Sequence, residues 1–108
     1  MENTARFLGN GDFHDGFVRA VTRTGDRVVV TIEGSGGNRY TITFDGVSSV
    51  ESHSPEDMML YALAERDTAQ ESLRLYDFVN WYSDEPQTEK SKSHLRIVAN
   101  RLTITESS

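Results

Sequence analysis

Ser54-Pro55-Glu56-Asp57-Met58-Met59-Leu60-Tyr61-Ala62-Leu63-Ala64-Glu65-Arg66 is the stretch on which the fold turns. It opens in the order of a helix start. Serine stands at the cap, proline at the first helical position, and two acids lie where the positive end of the helix dipole favours them. The seven residues from Met58 to Ala64 are then apolar on nearly every side. A stripe facing a core would be narrower. The spacing therefore predicts a helix over 55–66 that is packed deeply or covers a second surface.

Outward from that stretch, both flanks read as β-structure. On the N-terminal side, Phe17 to Val21 and Val28-Val29-Val30-Thr31-Ile32 are joined through Thr24-Gly25-Asp26, the sign of a hairpin. Gly34-Ser35-Gly36-Gly37-Asn38 ends the second run, and Tyr40-Thr41-Ile42-Thr43-Phe44 then alternates at strict period two. One face of that strand carries Tyr40, Ile42 and Phe44 to the core, and Thr41 and Thr43 face away. Asp45-Gly46 turns the chain into a short strand around Val47 to Val50. The first dozen residues are rich in Gly, Asn and Asp and read as a loosely ordered terminal segment, with structure beginning near Phe13.

On the C-terminal side, Leu73 to Tyr82 is long, aromatic and partly alternating, which predicts a strand, with one face kept buried only if a bulge shifts its phase. A polar loop over 83–92 leads to Leu95-Arg96-Ile97-Val98-Ala99, and Leu102-Thr103-Ile104-Thr105 alternates again after Asn100-Arg101. The whole predicts one α+β domain over 1–108: a curved, mainly antiparallel sheet or small open barrel of about six strands, with one helix packed against it.

Composition narrows the function classes. The chain of 108 residues has no cysteine, which removes disulfides, thiolate catalysis and cysteine-based metal or iron–sulfur centres. Net charge is −6, divided as −2 over residues 1–54 and −4 over residues 55–108, with no basic patch. Such a surface repels phosphate backbones and anionic membranes, so neither nucleic acid nor membrane is expected as a partner. The start lacks an apolar segment after a basic cluster, and no later run has the length to span a bilayer, so a cytoplasmic location is the default.

In Phe13-His14-Asp15-Gly16, the adjacent His14 and Asp15 have the chemistry of a metal-ligand pair or of a base with its orienting carboxylate. The plainer reading is a turn at Asp15-Gly16, because neighbours in a strand point to opposite faces. His53 and His94 could join His14 in a metal triad only through tertiary contacts that no spacing records. Gly34-Ser35-Gly36-Gly37 lacks the Gly-Lys-Ser/Thr of a phosphate loop and leads into a strand, so it reads as a hairpin turn with Arg39 on its flank. No Gly-x-Ser-x-Gly elbow presents a serine, and no catalytic residue or cofactor is assigned. Asp84, Glu85 and Glu89 read as a solvated hairpin tip.

The aromatic residues Tyr61, Tyr76, Phe78, Trp81 and Tyr82, with the Met58-Met59 pair, are candidates for core, for a pocket, or for a surface that binds a partner or a second copy. An all-apolar helix beside a strand with large side chains on both faces gives more apolar surface than one thin layer hides. A homodimer or a ligand cavity would absorb the surplus.

Asp12-Phe13-His14-Asp15-Gly16, the β-runs through Phe44-Asp45-Gly46-Val47, and Pro55 to Leu63 resemble small bacterial domains of unknown function, as a loose pattern over about two-thirds of the chain. Similar small β-rich proteins containing His-Asp occur among the immunity proteins of toxin systems. The resemblance implies a protein-binding role and carries no catalytic residue. The expected function is thus a non-enzymatic protein-interaction module of immunity-like kind. The alternative is a small-molecule or metal-binding domain with a pocket between helix and sheet, edged by His14 and Asp15.

Overall fold

The computed structural model describes residues 6–8, 13–53, 55–56, 58–80 and 94–107. Nine strands run in chain order: β1 (Arg6–Leu8), β2 (Phe17–Thr24), β3 (Arg27–Glu33), β4 (Arg39–Asp45), β5 (Ser49–His53), β6 (Leu60–Asp67), β7 (Arg74–Asn80), β8 (His94–Ala99) and β9 (Arg101–Ser107). They form two antiparallel sheets, one of five strands in the order β1-β6-β7-β8-β5 and one of four in the order β2-β3-β4-β9. No α-helix occurs among the described residues, and none is long and apolar enough to cross a membrane.

The helix expected over 55–66 is therefore corrected. Met58 N–H donates to the Pro55 carbonyl at 3.1 Å, and the chain then extends as β6 from Leu60. Local preference misleads because Met58 to Arg66 contains Leu, Ala and Met and no β-branched residue, a composition that favours helix. Tertiary pairing overrides it. β6 lies between β1 and β7, with Leu63 opposite both Leu8 and Phe78. Leu63 enters the core and Ala64, of the opposite phase, is also inaccessible, while Tyr61 is exposed and Ala62 partly covered.

The α+β class thus gives way to two layers of sheet, and the strand count exceeds the expected six. Arg6–Leu8, expected in a loosely ordered segment, pairs with β6 over Glu65, Ala64 and Leu63. β7 needs no bulge of its own, since Tyr76, Phe78 and Asn80 alternate inward without a break. The bulge lies in the neighbouring β6, where the register slips between Leu60 and Ala62.

The other strands follow the sequence pattern. Val28, Val30 and Ile32 of β3 and Tyr40, Ile42 and Phe44 of β4 line the inner face of the four-stranded sheet. Across the core they meet Leu63, Tyr76, Phe78, Leu95 and Ile97. Phe44 packs on Tyr76 and Phe78 at centroid distances of 5.1 and 5.9 Å, and Phe13 meets Tyr40 edge-on at 5.0 Å. Gly25, with φ of 61°, supplies the left-handed conformation that the two-residue turn between β2 and β3 needs.

Two corners fasten the layers. At the first, Val18 N–H donates to the Met58 carbonyl and Leu60 N–H to the Gly16 carbonyl, joining the entry of β2 to that of β6. At the second, β8 passes into β9 through Asn100, whose backbone N–H reaches the Asp45 carbonyl at 3.1 Å and whose side-chain amide donates to the Ser72 carbonyl at 2.7 Å. Gly46, at φ 64°, sits directly against the Asn100 side chain, where a Cβ would overlap it.

Candidate functional site at the β2–β6 corner

The turn Phe13-His14-Asp15-Gly16 forms as its glycine and aspartate suggest. Gly16 N–H donates to the Phe13 carbonyl at 3.1 Å, and Asp15 adopts a φ of 69°, the one positive value among described residues other than glycine. Backbone of this kind is costly away from glycine and is held by its surroundings. Here the holding contact is Asp15 N–H donating to the Leu60 carbonyl at 2.9 Å. Phe13 is sunk in the core, so the turn is nailed down while His14 and Asp15 stay half-exposed.

Directly beside this turn, the bulge of β6 inserts Tyr61 as an extra residue between Leu60, opposite Asn80, and Ala62, opposite Val79. Bulged residues leave the alternation and are re-aimed. Tyr61 is 48% exposed and is the only large hydrophobic side chain exposed among the described residues. His14 steadies it twice: the rings meet edge-on at 5.2 Å, and His14 Nδ1 lies 3.3 Å from the Tyr61 carbonyl. A carbonyl only accepts, so that contact calls for the proton on Nδ1. The other ring nitrogen, Nε2, then faces Asp15 Oδ1 at 3.9 Å. A phenol, an imidazole and a carboxylate are thus presented together at one corner.

The rest of the aromatic set divides. Tyr76 and Phe78 are buried in the core and offer no surface, which is why the surplus apolar area expected from them does not exist. Trp81 and Tyr82 lie outside the described residues, as do Asp84, Glu85 and Glu89. No side-chain nitrogen or oxygen buried among the described residues lacks a hydrogen-bond partner, so the core carries no orphan polar group aimed at a ligand. With no helix, the pocket expected between helix and sheet has lost one of its walls.

The three histidines do not share one element. His53 and His94 are register partners on β5 and β8, their rings stacked at 6.0 Å, and His94 Nε2 is 3.6 Å from Glu51 Oε1. His14 packs instead on Tyr61. Among the described residues no group of three or more His, Asp or Glu side chains is placed to hold a metal ion.

A second irregularity lies near this corner. β2 also bulges, at Arg19, whose guanidinium lies 4.7 Å over the Phe17 ring and donates to Glu33 at 2.9 Å. The signal in the sequence is the break in alternation at Phe17-Val18-Arg19-Ala20. No protein-family model, curated protein or solved structure matches the chain, so the site is read from its own chemistry.

Proposed function

We propose that this domain is a protein-interaction module that docks a partner on the β2–β6 corner, with Tyr61 as the anchor and His14 and Asp15 as its polar rim. The observation that carries the reading is Tyr61, an aromatic side chain held outward by a bulge and braced by a neighbouring ring, where every other described large apolar side chain is at least partly covered. A tyrosine packed on an imidazole that has a carboxylate beside it is the composition of an interface hot spot. The net charge of −6 favours a partner with a basic surface, whose approach it would speed.

The test places a photoreactive phenylalanine analogue at position 61 and, as control, at Thr22, an exposed site on β2. The reading expects a discrete adduct in cells from position 61 and not from 22. Asp15→Lys should weaken that adduct, and so should salt in extracts. Equal adducts from both positions, or none from 61, would contradict it.

A further inference from the structure

Two sheets leave four edges, and β-rich proteins must protect each from pairing with other chains. Three of the edges here carry a recognisable protection. β1 is only three residues long. β5 has five residues and displays Glu51 and His53 to solvent. β2 is bulged at Arg19, its entry is hydrogen-bonded to Met58 and Leu60, and Arg23 occupies the core-facing phase opposite Val28.

β9 carries one charge in the core-facing phase, Glu106 opposite Tyr40 near its end, and none of these protections along its centre. It pairs with β4 over seven residues without a register shift, and no further strand adjoins it among the described residues. Leu102-Thr103-Ile104-Thr105 holds no charge, proline, glycine or bulge. Leu102 and Ile104 pack against the core yet are only partly buried, and among the described residues no strand continues the sheet beyond them. A long, flat, partly apolar edge is a template for another strand.

We infer that the occupant of this edge is a second copy of the chain, paired antiparallel through β9 about a two-fold axis at Ile104. The strand is complementary to itself in that register. Inward and outward phases are kept only if the axis passes through a residue, since a slip of one would turn Leu102 and Ile104 outward. Centred on Ile104, the pairing sets Ile104 against Ile104 and Thr103 against Thr105, a cross-strand threonine contact on the outer face. Arg101 and Glu106 are the only charged residues of β9; in this register Arg101 falls opposite Ser107, and the exposed Glu106, at the end of the inward phase, falls opposite Leu102. The two four-stranded sheets then become one of eight, and the half-buried Leu102 and Ile104 are covered. The Tyr61 corner takes no part in this contact.

The experiment is sedimentation velocity from about 1 μM to about 1 mM, a span covering moderate to weak affinity. Mass should rise with concentration from 12.2 kDa toward twice that value. Thr103→Lys with Thr105→Lys puts like charges opposite each other on the solvent face. That variant should keep its circular dichroism spectrum and remain monomeric throughout. Amide exchange on the unmodified chain gives a second reading that needs no variant: β9 amides should slow as concentration rises, while those of β5 and of Ala20 to Thr24 should not. A monomer at the highest concentration, a dimer that survives both lysines, or slowing on another edge instead of β9 would each overturn the inference.

Discussion

At the scale of the residue, position matters more than identity. Tyr61 and Tyr76 were equal candidates by chemistry, yet one is half-exposed and the other buried. Alternation assigns Tyr76 to the core, and the bulge alone puts Tyr61 outside it. Tyr61→Ala should therefore change folding stability by less than about 0.5 kcal/mol in urea titration. Phe78→Ala, which empties a site among Phe44 and Leu63, should cost about 3–5 kcal/mol. A large loss from Tyr61→Ala would mean that its ring is structural. Gly46 makes the opposite kind of demand. Its left-handed backbone and its closeness to Asn100 leave no room for a Cβ, so Gly46→Ala should destabilise by about 1–3 kcal/mol. The same change at Gly25, which has open space around it, should incur only the backbone strain and so lose less.

At the scale of the element, the strands that could be read from sequence are those whose partners lie nearby or whose alternation is strict. β2, β3 and β4 are successive antiparallel neighbours with glycine in their turns, and Tyr40 to Phe44 points as its period requires. β8 and β9 were marked by the alternation of Leu95-Arg96-Ile97 and Leu102-Thr103-Ile104. β6 was not legible, because its stabilising contacts come from β1 and β7 and not from its own preferences. β1 escaped for the same reason: Phe7 has no strand partner before Ala64. At the candidate site, His14 and Asp15 were visible as a turn and Tyr61 as an aromatic. Their meeting depends on the long-range hydrogen bonds from Asp15 N–H to the Leu60 carbonyl and from Leu60 N–H to the Gly16 carbonyl, which no local pattern encodes. If β6 is a strand, Leu63→Pro removes either a ladder hydrogen bond or packing in the middle of a sheet and should abolish cooperative unfolding. A proline variant that unfolds like the parent would argue against a central strand there.

At the scale of the whole molecule, the fold is closed by pairings between distant parts of the chain: β1 with β6, β5 with β8, and β4 with β9. Such topology must lose loop entropy before it gains contacts, so refolding should take milliseconds to seconds, as followed by stopped-flow circular dichroism. Relaxation in microseconds would point to a helical, locally connected fold. The surface ion pairs Arg27–Asp45, at 2.8 Å, and Arg19–Glu33, at 2.9 Å, are exposed enough to add little each, and stability should depend only weakly on salt. The central claim is that 60–67 is a strand paired on both edges, with β1 and β7, which throws Tyr61 outward at the junction of two sheets. The most direct measurement is a nuclear Overhauser map of the labelled protein through this segment. The account predicts cross-strand contacts from Leu63 to Phe78 and to Leu8, and from Ala64 to Asp77, with the Tyr61 ring seen from His14. Contacts running from each residue to the third one after it over 55–66, with those cross-strand contacts missing, would contradict both the fold and the site built on it.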